Sequence, residues 1–225
     1  MYRKELKPDY NKLLIRPMLA QTFDRTRYDG RKCKKIMFPC IGQPKYDGVR
    51  CMAYIDDSGG VKLESRKGTE FYNFDNIQTE IGMLLGCMSE PVYLDGELYT
   101  SELTFEEISG LVRLKTRFTF PENLKKIQFH IFDAFYPNNP TLGYIERYQR
   151  IALSLGNKNF SSLVICPNTV IDELGQIDSV HDIMVSQGYE GLILRNTTDC
   201  YEPGVRSYGL QKYKKFRDQE YKIIG

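Results

Sequence analysis

The chain has 225 residues, 41% of them hydrophobic and 27% charged, with a formal net charge of +2, a composition ordinary for a globular protein that buries its core without staples. No apolar run approaches the length of a membrane span, and the start, Met1-Tyr2-Arg3-Lys4-Glu5, is too polar for a signal peptide; no membrane partner is expected, and a cytoplasmic or nuclear setting is. Six cysteines without a CxxC spacing, and only His130 and His181 as imidazoles, argue against a structural zinc site and against Ser-His-Asp or Cys-His catalysis, and fit free thiols in a reducing compartment.

In chain order, residues 1–36 are polar and basic apart from a short Arg16-Pro17-Met18-Leu19-Ala20 element, and are expected to pack on a main domain over residues 37–217. Ile41 to Lys45 reads as a strand, with Val49 to Ile55 as its partner across a tight Tyr46-Asp47-Gly48 corner. Asp56 to Gly60 is a hairpin turn into a strand over Val61 to Arg66. Asp75 is placed to cap a helix that carries Ile77, Ile81, Leu84 and Leu85 on one face. Val92 to Tyr99 alternates as a strand, which puts Asp95 and Glu97 on one face and Leu94 and Leu98 on the other. Thr104 with Glu107 forms a capping box ahead of Ile108, Leu111 and Val112. Ile127 to Phe135 is a strand, Tyr144 to Leu155 a helix, and Ser179 to Gln187 a helix stopped by Gly188. Leu192 to Leu194 and Leu210 to Phe216 are the last strands, and residues 218–225 begin a linker. The fold class is α+β, with mostly antiparallel sheets. Arg206, Lys212, Lys214, Lys215 and Arg217 crowd into the last twenty residues, a basic strip suited to a phosphate backbone.

Lys45-Tyr46-Asp47-Gly48-Val49-Arg50 carries the chemistry. A lysine at a strand end, before a tight turn, is held by rigid backbone. To act as a nucleophile its amine has to be neutral, whereas a free lysine titrates near ~10.4. Neighbouring cations lower that value, and Arg50, Lys212 and Lys214 are the expected neighbours. The same cations would neutralise phosphate oxygens during transfer.

Five further segments follow in a fixed order: Ser65-Arg66-Lys67-Gly68, Leu94-Asp95-Gly96-Glu97-Leu98, Phe132-Asp133, Glu190-Gly191-Leu192-Ile193-Leu194-Arg195 and Leu210-Gln211-Lys212-Tyr213-Lys214. With KxDGxR at Lys45 the set resembles the covalent nucleotidyltransferase superfamily of DNA ligases, RNA ligases and mRNA capping enzymes, from Lys45 to Lys214. The resemblance implies an ATP-grasp-like nucleotidyltransferase domain over residues 37–217. It also implies roles. Lys45 attacks the α-phosphate of ATP and carries AMP; Glu97 holds the ribose hydroxyl; Phe132 stacks on adenine; Glu190, with Glu97, binds Mg²⁺, or Mn²⁺ in its place. Lys212 and Lys214, two apart on one strand, contact the α-phosphate. Arg66, with Arg50, grips the 5′-phosphate of a nick, Arg50 also lies near the ribose, and Asp47 lies near the 3′-hydroxyl. Asp133 is expected to brace the fold. Gln43 stands where an acidic residue is frequent, which leaves open how the adenine N6 is met.

Glutamate first in Glu190-Gly191-Leu192-Ile193-Leu194-Arg195, the Pro17-Met18-Leu19-Ala20 element and the spacing of Phe216, Asp218 and Glu220 resemble ATP-dependent DNA ligases rather than capping enzymes, which usually have aspartate first. The expected substrate is nicked duplex DNA and the expected state a monomer. An mRNA capping guanylyltransferase or ATP-dependent RNA ligase is the alternative, and a catalytically idle DNA-binding scaffold is a third. The chain stops where the resemblance places an OB-fold domain, so slow self-adenylation is expected.

Overall fold

The computed structural model describes residues 15–25, 36–115, 121–156 and 158–215. Phe216, Arg217, Asp218 and Glu220, the linker over 218–225 and much of the 1–36 segment lie outside the described residues. In chain order the strands are β1 (Leu19–Thr22), β2 (Cys40–Lys45), β3 (Val49–Ile55), β4 (Val61–Ser65), β5 (Tyr93–Tyr99), β6 (Gln128–Phe135), β7 (Leu163–Ile165), β8 (Thr169–Ile171), β9 (Gly191–Asn196) and β10 (Arg206–Tyr213). The α-helices are α1 (Asp75–Leu85), α2 (Phe105–Val112), α3 (Tyr144–Gly156) and α4 (Ile177–Ser186).

Among the described residues the strands form two five-stranded sheets, ordered β1-β10-β9-β2-β8 and β4-β3-β5-β6-β7. All pairings are antiparallel except β1 with β10 and β6 with β7, so the α+β, mostly antiparallel expectation holds. β1 makes the Met18-Leu19-Ala20 stretch an integral edge of the first sheet. β2 and β3 are not partners, contrary to the sequence reading. β2 is bonded by β8 and β9, and β3 by β4 and β5. The Tyr46-Asp47-Gly48 corner therefore carries the chain from one sheet to the other, because each strand finds its hydrogen bonds and its buried face far away in sequence.

The helices follow their apolar stripes. α1 buries Ile77, Ile81, Leu84 and Leu85 as expected, and packs with α2 and α3 on the second sheet over a core that includes Leu63, Leu94, Leu98, Ile108 and Phe129. Asp75 is not its cap. Phe74 holds that position without a side-chain bond, and Asp75 is the first helical residue, where a carboxylate suits the helix dipole. The Thr104–Glu107 capping box is present in both directions. On α3 the buried positions Tyr144, Arg147, Ile151 and Leu155 share one face, which takes a guanidinium into the interior. α4 covers the first sheet with Ile177 and Met184 against Leu192 and Leu194, and Gly188, at φ 90°, ends it. A third cluster, Met18, Met52, Phe135, Tyr201 and Leu210, joins the sheets.

Gly48 is fixed by this junction. A Cβ there would lie 2.5 Å from the Leu98 carbonyl oxygen and 2.9 Å from Glu97 Cγ, whereas one on exposed Gly110 in α2 meets nothing within 4 Å. Gly48→Ala is expected to destabilise by ~1–3 kcal/mol through overpacking, while Gly110→Ala stabilises by up to ~1 kcal/mol. Denaturant midpoints of the two variants check this, and equal small shifts would contradict it.

Candidate active site

A cleft of about 280 Å³ opens between the two sheets beside the β2–β3 corner. Strand alternation builds one wall. Leu192 and Leu194 face α4, so Ile193 and Arg195 face the cleft; Gln43 and Lys45 on β2 and Leu210 and Lys212 on β10 do the same. The register puts Lys212, Ile193 and Gln43 in one row across three strands, with Leu210 opposite Arg195 in the next. The second sheet supplies Arg50, Glu97 and Phe132, and the β4 turn supplies Arg66. Seven of the residues singled out from sequence thus line one cavity: Gln43, Lys45, Arg50, Arg66, Glu97, Phe132 and Lys212. Glu190 and Lys214 lie outside the lining; Glu190 bonds both Lys45 and Lys214. Asp47 is exposed on the corner and outside the lining.

The nucleophile candidate does not have the company foreseen. The Lys45 amine contacts Glu190 Oε2, and Lys214 Nζ contacts Glu190 Oε1 at 2.9 Å. The nearest charge to Lys45 is therefore a carboxylate, not a cation. Register causes this: Glu190 immediately precedes β9 opposite Lys45, and its N–H donates to the Lys45 carbonyl at 2.9 Å. Burial pushes the Glu190 carboxyl up, but the bonds from Lys45 and Lys214 outweigh it and hold it below its ordinary value. β10 ends at Tyr213, so Lys214 reaches Glu190 from just beyond the strand. Arg50 is no free cation either. Its Nε and NH2 both donate to Asp95 at 2.6 Å, and NH2 also donates to the Met18 carbonyl. Its guanidinium lies 4.5 Å from the centre of the Phe132 ring.

Glu97 differs. Among the described residues its carboxyl takes no side-chain hydrogen bond, and burial pushes it up to about 8 against the opposing pull of Arg50 and Lys45. Behind the cleft Tyr46, His130, Tyr99 and Tyr189 pack ring to ring. Burial lowers His130 to about 4, and neither of its ring nitrogens has a partner among the described residues, so the imidazole is neutral at physiological pH. Asp133 braces the interior as expected: it is fully buried and bound by Arg147 and Arg195.

Residues 17–214 match the family described as ATP dependent DNA ligase domain. The chain belongs to that family. The DNA ligase of African swine fever virus (strain Badajoz 1971 Vero-adapted) is 28% identical over 221 residues, covering 95% of this chain and 50% of that protein. The DNA ligase of Enterobacteria phage T4 is 26% identical over 250 residues, 92% of this chain and 50% of its own. Chlorella virus DNA ligase-adenylate shares the fold, with a TM-score of 0.67 at 20% identity over 91% of this chain and 69% of that one. The chain thus spans about half the length of the two ligases it matches in sequence.

Two residues of this ligase-family domain were missed as site residues. Arg195 and Arg206 both line the cleft. Arg195 ends the apolar run of β9, and the alternation that buries Leu192 and Leu194 already aims it at the cleft. Arg206 stood only as part of a basic strip.

The raised Glu97 value has a signed consequence. A carboxyl whose folded value lies above its ordinary 4.5 binds more protons folded than unfolded, so it costs stability progressively as pH rises from 4.5 towards 8 and costs nothing below that window. Glu97→Gln is expected to match the unaltered protein below pH 4.5 and to be more stable by ~1–3 kcal/mol above pH 8, after allowance for solvent screening. Urea titrations across pH test it; a pH-independent difference would contradict it.

Proposed function

We propose that the chain is the catalytic domain of an ATP-dependent DNA ligase that seals 3′-hydroxyl/5′-phosphate nicks in duplex DNA through a lysyl-AMP intermediate on Lys45. The observation that carries this reading is the position of Lys45: a part-buried amine on a cleft wall, with Glu97, Phe132 and Lys212 around one cavity, in a chain of the ligase-domain family. The catalytic unit is assigned to residues 37–217, with β1 from the 1–36 segment completing its first sheet.

In the first step Lys45 Nζ attacks the α-phosphorus of ATP. A nitrogen–phosphorus bond forms, the bond to the pyrophosphate oxygen breaks, and the amine proton has Glu190 as its acceptor in contact. Lys212, with Lys214 beside it, faces the charge that builds on the α-phosphate oxygens. The Phe132 ring offers a flat surface to the base, and the Glu97 carboxyl accepts from or donates to the ribose hydroxyl according to its protonation. AMP then passes to the 5′-phosphate of the nick, which Arg66 and Arg206 are suited to grip by their guanidinium forks, with Arg50 held close by on Asp95. Attack by the 3′-hydroxyl, near Asp47, expels AMP. Glu97 and Glu190 would hold Mg²⁺ or Mn²⁺: both are hard oxygen donors and two carboxylates suffice for Mg²⁺; Glu97 carries no competing side-chain bond among the described residues, and Glu190 would exchange a lysine contact for the metal. A metal bound there would neutralise phosphate charge. No described helix is long and apolar enough to cross a membrane. The protein is expected to work as a monomer inside the cell.

Incubation of the full chain with ATP and Mg²⁺, read by intact mass, is expected to give an AMP adduct that Lys45→Ala abolishes and Lys212→Ala forms roughly 10–10³-fold more slowly. GTP is expected to give none, and nicked DNA to be sealed in preference to nicked RNA. An adduct with GTP alone would indicate a capping enzyme. DNA binding without any adduct, unchanged by Lys45→Ala, would indicate a scaffold.

A further inference from the structure

Tyr213 stands between Lys212 and Lys214 and points the other way. Strand alternation sends Lys212 into the cleft and Tyr213 to the α4 side, where it packs on the cluster of Phe23, Ile177, Met184 and Leu192. Its ring lies 5.5 Å from the Phe23 ring, edge on, and 4.9 Å from the His181 ring. Phe23 and His181 are both buried. The Tyr213 hydroxyl donates to Asp178 Oδ1 at 2.6 Å. Two residues on, Lys215 reaches the same helix: its Nζ donates to Asp182 Oδ1 at 2.7 Å and its backbone N–H to His181 Nε2 at 3.4 Å. Asp178, His181 and Asp182 share one face of α4, since the second and third lie three and four positions after the first.

Lys214 depends on this anchorage. β10 ends at Tyr213, opposite Leu192, so Lys214 lies beyond the strand. Its side chain is 49% exposed, yet its amine meets Glu190 Oε1 at 2.9 Å. The residues on either side of it are tied to α4. The two ties are unequal. Lys215 and Asp182 are an exposed ion pair, and such pairs contribute little. Tyr213 is wedged between two buried rings, and its hydroxyl makes a short bond to a carboxylate, the stronger kind of hydrogen bond. That bond, ahead of the pull of Arg25 and Lys215, holds the Asp178 carboxyl below its ordinary value. We propose that Tyr213 and Asp178 are positioning residues for Lys214: by pinning the end of β10 to α4 they hold the Lys214 amine at Glu190 and at the α-phosphate. This inference rests on the reading of Lys45 as the nucleotidyl acceptor and of Lys214 as a phosphate contact. It gives the outward face of the Lys212–Lys214 strand a part in the reaction, although neither positioning residue touches the cleft.

The test is the rate of adduct formation on the full chain at saturating ATP and Mg²⁺, followed by intact mass. Tyr213→Phe removes the hydroxyl and keeps the ring; Asp178→Ala removes the acceptor. Each is expected to slow the adduct by roughly 3–10-fold, the effect of one hydrogen bond. The double variant should be no slower than either alone, because the two share one bond. Asp178→Asn keeps an oxygen that accepts from the hydroxyl and should stay within about twofold of the unaltered protein. Lys214→Ala is expected to be slower than the unaltered protein, and adding Tyr213→Phe to it should change the rate by less than about twofold. A merely structural loss would slow both backgrounds alike. Three results each overturn the inference and leave the Lys45 reading standing: unchanged rates in Tyr213→Phe and Asp178→Ala, an equal slowing by Tyr213→Phe in the Lys214→Ala background, or a Lys214→Ala rate equal to that of the unaltered protein. If thermal melting shows that Asp178→Ala does not fold, Tyr213→Phe decides alone. No adduct on the unaltered chain, or one that survives Lys45→Ala, overturns both.

Discussion

Glu190 stands between two ammonium groups, Lys45 at the end of β2 and Lys214 just beyond β10, and bonds one with each carboxylate oxygen. The contact exists because three strand ends are brought level. β9 pairs with β2 so that Gly191 lies opposite Lys45, and a Cβ at Gly191 would come within 2.5 Å of the Tyr213 carbonyl oxygen; glycine is what lets β10 close on this edge. The amine is therefore placed by backbone pairing and oriented by a carboxylate, before any substrate arrives. In the proposed reaction an entering phosphate competes with Glu190 for both lysines, which couples nucleotide binding to release of the nucleophile.

Two buried carboxylates set up the rest of the cleft. Asp95 takes both forks of Arg50 and the Tyr201 hydroxyl; Asp133 takes Arg147 and Arg195. Taking such charges out of water costs several kcal/mol per ion, recovered only with good geometry and full hydrogen bonding. Their worth lies in orientation rather than net stability. Asp95 holds Arg50 over Phe132, and Asp133 holds Arg195 against Gln43. Both guanidiniums reach the cleft already committed to a carboxylate, so the polar groups that line it are fixed before any ligand binds.

Periodicity made the long elements legible, since β5, α1 and α3 each bury one regular face, whereas β6 is buried on both and reads as a near-continuous apolar run. It also put Glu97 and Asp95 together on the inner face of β5. The ordered motifs gathered residues far apart in sequence, and most of them do line one cavity. What the sequence hid is tertiary. β7 and β8 are three residues each, too short for alternation to register. β2 and β3 are adjacent in sequence, and their pattern is equally that of a hairpin; only competition with β5 and β9 decides against it. The cations near Lys45 were foreseen, but the carboxylate that outcompetes them was assigned only to metal, because its contact depends on the β2–β9 register. Arg195 was visible as a strand residue, while its partner Asp133 lies 62 positions away and no local spacing joins them.

The most direct measurement is proteolytic mapping of the chain after exposure to labelled ATP and Mg²⁺, under conditions that preserve phosphoramidates. The label is expected on the peptide containing Lys45 and on its side-chain nitrogen. Label on another lysine, such as Lys212 or Lys214, or none on the Lys45 peptide at full exposure, would contradict the role assigned to the amine that Glu190 holds.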